Sequence, residues 1–120
     1  MEKFADKTEY YYTDKGDKKI KLIFRERINF SGFIFPEIPE NVDFTFNSAV
    51  FENETDFSYA KFEGKAKFRG SVFKHDVKFR NAEFKDEADF SRVTFEGEAN
   101  FTDAVFRQGA NFEESVLNRM

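Results

Sequence analysis

The side chains able to carry chemistry are of few kinds. One histidine, His75, and no cysteine occur in 120 residues, beside 23 Asp and Glu and 19 Lys and Arg. An imidazole-activated nucleophile, a thiolate or a zinc site needs His or Cys in groups, and a lone His cannot supply one. The carboxylates interleave with Lys and Arg, a pattern of paired, solvated charges rather than of acid/base couples. No Gly-rich phosphate loop is present, nor is the Gly-Gly-x-Gly-x-Asp repeat of calcium-binding β-helices. No catalytic, cofactor-binding or metal-binding residue is therefore expected, and the chain reads as a non-enzyme without a cofactor. What stands out on otherwise charged stretches is Tyr59, together with Val72, Thr94, Val105 and Val116. Three of these, Val72, Thr94 and Val116, are 22 residues apart, so Tyr59, Val72, Thr94 and Val116 are the candidate contact residues.

The elements that position them follow from a repeat. From Thr55 to Met120 the chain divides into six lines of eleven residues: TDFSYAKFEGK, AKFRGSVFKHD, VKFRNAEFKDE, ADFSRVTFEGE, ANFTDAVFRQG, ANFEESVLNRM. Phe57, Phe62, Phe68, Phe73, Phe79, Phe84, Phe90, Phe95, Phe101, Phe106, Phe112 and Leu117 alternate at steps of five and six, which marks a repeat architecture. An eleven-residue period also suits a right-handed coiled coil. At about 100° per residue, however, the two Phe positions of a line point about 140° apart on a helix, and no stripe forms. With period two the pattern is coherent: Ala99 and Phe101 face in with Asn100 out, and Ala104 and Phe106 face in with Val105 out. Each half-line is a very short strand. Corners fall at Gly64, Gly70, Gly97 and Gly109, and His75 falls at one as an exposed side chain.

The unit of a small residue, often Asp or Asn, then Phe, then two or three polar residues is seen in Ala88-Asp89-Phe90-Ser91-Arg92 and Ala99-Asn100-Phe101-Thr102-Asp103. It resembles the pentapeptide-repeat family, in the variant where every second unit has an extra residue. Lys61, Lys67, Lys78 and Val72 stand where that family favours Asp or Asn. The resemblance implies an all-β fold, a right-handed quadrilateral β-helix with one unit per side and the twelve ladder residues inside. It also implies a second functional reading, since some members mimic DNA and occupy type II topoisomerases.

Charges test the coil length. With four units per coil, residues 22 apart stack directly. Seven ionised pairs at that spacing are opposite, Asp56/Lys78, Lys61/Glu83, Glu63/Lys85, Lys65/Glu87, Lys67/Asp89, Lys74/Glu96 and Arg92/Glu114, and two are alike, Asp76/Glu98 and Lys85/Arg107. At a spacing of 11, seven are opposite and six alike, so a 22-residue coil is favoured.

Towards the N-terminus, Tyr10-Tyr11-Tyr12, Asp14-Lys15-Gly16-Asp17 and the alternating Ile20, Leu22 and Phe24 predict a β-hairpin covering the first coil, because an uncovered sheet edge invites aggregation. The Lys and Arg here are accompanied by Asp14, Asp17 and Glu26 and read as a solvated face. Phe24, Phe35 and Phe46 keep an eleven-residue step to Phe57, and Pro36-Glu37-Ile38-Pro39-Glu40-Asn41 reads as a loop bulging from one corner. The expected organisation is a hairpin cap over 1–27, an irregular first coil over 28–54 and a regular β-helix over 55–120.

The absence of Cys fits a reducing cytoplasm, and neither a signal peptide nor a run long enough for a membrane span is legible. The function expected is a non-catalytic rigid solenoid, a protein-interaction or scaffold module with an unidentified protein partner. Phe106, Phe112, Leu117 and Met120 lie near an open coil, so the expectation is a homodimer through the C-terminal coil, or else a fragment whose continuation covers that coil. DNA mimicry needs a strongly acidic rod, whereas residues 55–120 carry 11 Lys and Arg against 12 Asp and Glu, and nucleic acid binding is not expected either.

Overall fold

The computed structural model describes the backbone of residues 7–12, 18–39 and 45–117, and the side chains of 21–39 and 45–117. Two longer strands, β1 (Lys7–Tyr12) and β2 (Lys18–Phe24), precede fifteen strands of two residues each. The short strands are β3 (Ile28–Asn29), β4 (Ile34–Phe35), β5 (Val50–Phe51), β6 (Thr55–Asp56), β7 (Lys61–Phe62), β8 (Ala66–Lys67), β9 (Val72–Phe73), β10 (Val77–Lys78), β11 (Glu83–Phe84), β12 (Ala88–Asp89), β13 (Thr94–Phe95), β14 (Ala99–Asn100), β15 (Val105–Phe106), β16 (Ala110–Asn111) and β17 (Val116–Leu117). They stack into four sheets, the faces of a β-solenoid: β1-β2-β5-β9-β13-β17, then β3-β6-β10-β14, β4-β7-β11-β15 and β8-β12-β16. All pairs are parallel except β1 with β2, which forms an antiparallel hairpin.

Hydrogen-bonded strands lie about 4.8 Å apart, and that spacing dictates the core. Each Phe sits over the Phe of the coil below: Phe57 over Phe30 at 5.1 Å, Phe79 over Phe57 at 4.8 Å, Phe101 over Phe79 at 4.9 Å, with the upper pairs within 3° of coplanar. Three further columns run Phe24-Phe51-Phe73-Phe95, Phe35-Phe62-Phe84-Phe106 and Phe46-Phe68-Phe90-Phe112. Neighbouring columns meet edge to face, as Phe68 does with Phe79 at 89°. Stacked and edge-on aromatic pairs each add about 0.5 to 1.5 kcal/mol beyond area burial.

The alternation of five- and six-residue units corresponds to two kinds of corner. In every five-residue unit, on the second and fourth faces, the residue two after the Phe is left-handed: Gly32, Ser48, Tyr59, Gly70, Asn81, Arg92, Asp103 and Glu114, with φ between 56° and 72°. The Phe carbonyl accepts the N–H three residues on, as from Ala60 to Phe57 and Ala82 to Phe79 at 3.0 and 3.1 Å. Together these are the features of a type II turn. The N–H just after the Phe is then capped by the side chain just before it. Asn29 accepts from Ser31, Thr45 from Asn47, Asp56 from Ser58, Asp89 from Ser91, Asn100 from Thr102 and Asn111 from Glu113, at 2.8 to 3.0 Å. In six-residue units that same N–H donates instead to the coil below, as Lys74 does to Phe51 and Lys85 to Phe62.

The eleven-residue step from Phe35 to Phe46 is corrected by the topology. Phe24 lies under Phe51 and Phe35 under Phe62, both 27 residues on, while Phe46 lies under Phe68, 22 on. The stretch between Phe35 and Phe46 therefore holds five extra residues, the length of one unit, at a single corner; an unbroken eleven-residue step hides a change from two faces to one. Glu37 of that segment closes on Gly64, where a Cβ would meet the Glu37 Cα at 2.9 Å. Glu40, Asn41 and the hairpin turn at Asp14–Asp17 lie outside the described residues. Above this coil the spacing is 22: Asp56 stacks under Lys78, not Lys67. No helix occurs among the described residues, and none is long and apolar enough to cross a membrane.

One unit yields opposite expectations for two substitutions. Asp56→Ala removes the cap on Ser58 and lowers stability by about 1 kcal/mol, whereas Tyr59→Gly relieves a bulky side chain held at φ 61° and raises it by about 1 kcal/mol. Urea denaturation measures both; a Tyr59→Gly variant less stable than wild type would show that the ring, not the corner, dominates at this position.

Candidate interaction surface

Outward positions before the Phe form columns. On the first face Val50, Val72, Thr94 and Val116 stack in direct register. The first three are half-buried and Val116 is exposed. Val50 belongs to this column although Val72, Thr94 and Val116 alone stood out in the sequence; its position 22 residues before Val72 was the available signal. Tyr59, 61% exposed, lies at the corner between the second and third faces, so the structure does not bring it together with the valine column. The third face carries exposed Ile34 and Val105 at the same outward position. Of these, Ile34 was missed by sequence reasoning, since the entry coil lacks the regular pattern around it.

The twelve ladder residues divide by height. Phe57, Phe62, Phe68, Phe73, Phe79, Phe84, Phe90 and Phe95 are buried, Phe101 and Phe106 partly so. Phe112 and Leu117 are 39% and 63% exposed; among the described residues no strand lies beyond β14, β15, β16 and β17 in their sheets. Met120 lies outside the described residues. At the opposite end Phe33 and Ile34 are 49% and 57% exposed.

Several charged groups are taken by neighbouring coils. Lys85 bonds Glu63 at 3.0 Å, Arg92 bonds Glu114 at 2.7 Å, Arg27 bonds Glu54 at 2.9 Å, and Lys65 approaches Glu87 at 4.0 Å. Arg69 donates to the Ser91 hydroxyl, which donates to Asp89, so that hydroxyl is held by a carboxylate and a guanidinium and has no imidazole base. His75 is exposed at its corner, with its backbone so close to Gly97 that a Cβ there would meet the His75 carbonyl carbon at 2.5 Å. Glu83, stacked over Lys61, bonds instead to Arg107 at 2.6 Å. The Arg107 hydrogen bond holds the Glu83 carboxyl below its ordinary value, helped by the charges of Arg107, Lys85 and Lys61 and opposed by partial burial. No group of three or more His, Cys, Asp or Glu among the described residues is placed to hold a metal. A half-open cavity of about 520 Å³ lies between Pro36–Pro39 and the Gly64–Lys67 corner over Phe35, Phe46 and Phe62; the undescribed residues 40–44 join two of its walls, Pro39 and Thr45.

Two-residue parallel strands stacked in four sheets around columns of Phe define a β-solenoid, a repeat module whose surfaces are columns rather than a cleft. A family model described as pentapeptide repeats (nine copies) matches residues 41–83 and 79–119, and the chain belongs to this family. Comparisons with curated proteins and with solved structures return no match.

Because Glu83 has a lowered value in the folded chain, its contribution to stability is present at neutral pH and is lost as pH falls through that value. Arg107→Gln should move the Glu83 titration upward in carboxyl NMR. An unchanged Glu83 curve would mean that Arg107 does not hold it.

Proposed function

We propose that the chain is a non-catalytic rigid solenoid serving as a protein-interaction or scaffold module, and that two copies join through their C-terminal coils. The observation that carries this reading is the gathering of Phe112, Val116 and Leu117 as exposed apolar side chains on the one coil whose four strands each have a single neighbour. Only another coil offers four short strands at matching positions; a single extended peptide could pair with one face at most. The continuous ring columns support rigidity, because each coil can shift only by unstacking four aromatic pairs. The Val50, Val72, Thr94 and Val116 column then remains on the flank of the pair for another protein.

DNA mimicry at a type II topoisomerase ranks below this. Residues 86–114 carry eight Asp and Glu against two Arg, but residues 61–85 carry eight Lys and Arg against three Asp and Glu. Along the axis the charge therefore reverses within about one coil, unlike the uniform charge of a duplex. A gyrase supercoiling assay should show no inhibition at micromolar protein, and clear inhibition would reverse the ranking.

Light scattering behind size exclusion should give the mass of two chains for the wild type and of one chain for Leu117→Asp, with the same circular dichroism. A monodisperse wild-type monomer would refute the pairing.

A further inference from the structure

We infer that the first face docks on the first face of a further copy lying antiparallel to it, so that the protein taken by the valine column is this chain itself. The inference rests on the scaffold reading above and names the partner of that column. Beside Val50, Val72, Thr94 and Val116 runs a second outward column, one residue past each Phe: Glu52, Lys74 and Glu96, in the same register. Its charges alternate, yet no ion pair joins Lys74 to Glu52 or to Glu96. At the equivalent position on the third face Lys85 does bond Glu63, at 3.0 Å. Lys74 and Glu96 are both exposed, and their charges remain available to a partner.

A column of alternating charge is complementary to its own reversed copy. With a two-fold axis along the strand direction, midway between the levels of Val72 and Thr94, Lys74 faces Glu96 of the other copy and Glu96 faces its Lys74. Val72 then meets Thr94 and Val50 meets Val116, each contact made twice. The corners beside the face suit the same placement, since His75 falls opposite Gly97 and Arg92 opposite Gly70. Moving the axis half a coil, to the level of Val72, sets Lys74 against Lys74 and Glu52 against Glu96, and such like-charge contacts are disfavoured. Moving it a whole coil, to lie between Val50 and Val72, brings Ile23 into the column, and Ile23 is buried. Flat β faces pack about 10 Å apart, close enough for β-branched side chains to interdigitate. A helix laid along the axis repeats every 5.4 Å or about that and drifts against a column rising by about 4.8 Å, whereas a second copy keeps the same rise at every level.

Four levels at about 4.8 Å make a patch about 14 Å tall, well short of the ~800 Å² per partner of a standard interface. The contact therefore forms at high concentration and joins end-paired rods into an array. It is tested by sedimentation equilibrium from about 10 μM to about 1 mM, in Leu117→Asp chains, whose end contact is removed. Leu117→Asp alone should rise with concentration from the mass of one chain towards two. Adding Lys74→Glu, or adding Glu96→Lys, should hold it at one chain. An equimolar mixture of those two should again approach two, because each supplies the charges that the other now needs opposite it. The same pattern should appear above the two-chain mass when Leu117 is intact. A mixture that stays at one chain would overturn the inference, as would a single charge variant that pairs as well as its parent. Leu117→Asp chains that remain single at every concentration would also overturn it and leave the column to an unrelated protein. An intact chain that is single at low concentration, with Leu117→Asp chains that pair according to the charges, would refute the end contact and uphold the one on the flank.

Discussion

The structure depends on a match between two lengths. Backbone hydrogen bonds set the rise per coil at about 4.8 Å, and the benzyl rings stack at 4.6 to 5.5 Å with planes within a few degrees in most columns. Once the backbone repeats at that rise, a ring at one level is best supported by a ring at the next, and a smaller side chain would open a void in a closely packed column. The interior is thereby committed to hydrocarbon. Ser71 shows what a polar group meets there: it is fully buried in the inward small position, and its hydroxyl has no hydrogen-bond partner. Any chemistry or recognition is confined to the outside of the tube and its ends.

Hydrogen-bond accounting explains why the repeat alternates instead of using one unit length. In a five-residue unit the N–H after the Phe is not part of the inter-coil ladder and needs a side-chain acceptor; in a six-residue unit it bonds the coil below. Asn, Asp or Thr consequently stands before the Phe at six of the eight five-residue units, and Asn or Asp at none of the six-residue ones. Lys67, one of the two exceptions, is tolerated because Asn47 of the coil beneath reaches the Arg69 N–H at 2.9 Å. The departures from the family pattern at Lys61 and Val72 are likewise no loss, since both lie in six-residue units whose donors are already bonded.

This accounting separates what was legible in the sequence from what was not. The Phe spacing determines which residues stack, and the charge pairs 22 apart determine the coil length, because both are direct consequences of one repeating geometry. The insertion in the first coil was legible as a loop at Pro36 but not in its length: five extra residues equal one unit, so the Phe35 to Phe46 step stays at eleven while the face count changes. The partner of Glu83 was not legible either. Stacking predicts Lys61, yet the long guanidinium arm of Arg107, beside the like charge of Lys85, swings to Glu83 across 24 residues. Side-chain reach is set by rotamers, which a periodic pattern does not encode. The candidate contact residues separated for a similar reason: Tyr59 closes a five-residue unit and so turns a corner, whereas Val72, Thr94 and Val116 precede a Phe on one flat face.

The same division indicates where binding specificity can be written without cost to the fold. On the second and fourth faces the outward residue before the Phe has turn duty, and changing Asp56 or Asn100 exposes an unsatisfied donor. On the first and third faces the corresponding position has no such duty, and its occupants vary widely: Val50, Val72, Thr94 and Val116 on one, Ile34, Lys61, Glu83 and Val105 on the other. Variation tolerated by the backbone is what a recognition surface requires, since a partner can be selected by side chains that the coil does not need. The flat valine column of the first face is contiguous with β17 at the exposed coil, so a protein bound along it would contact the flank and the end of the solenoid together.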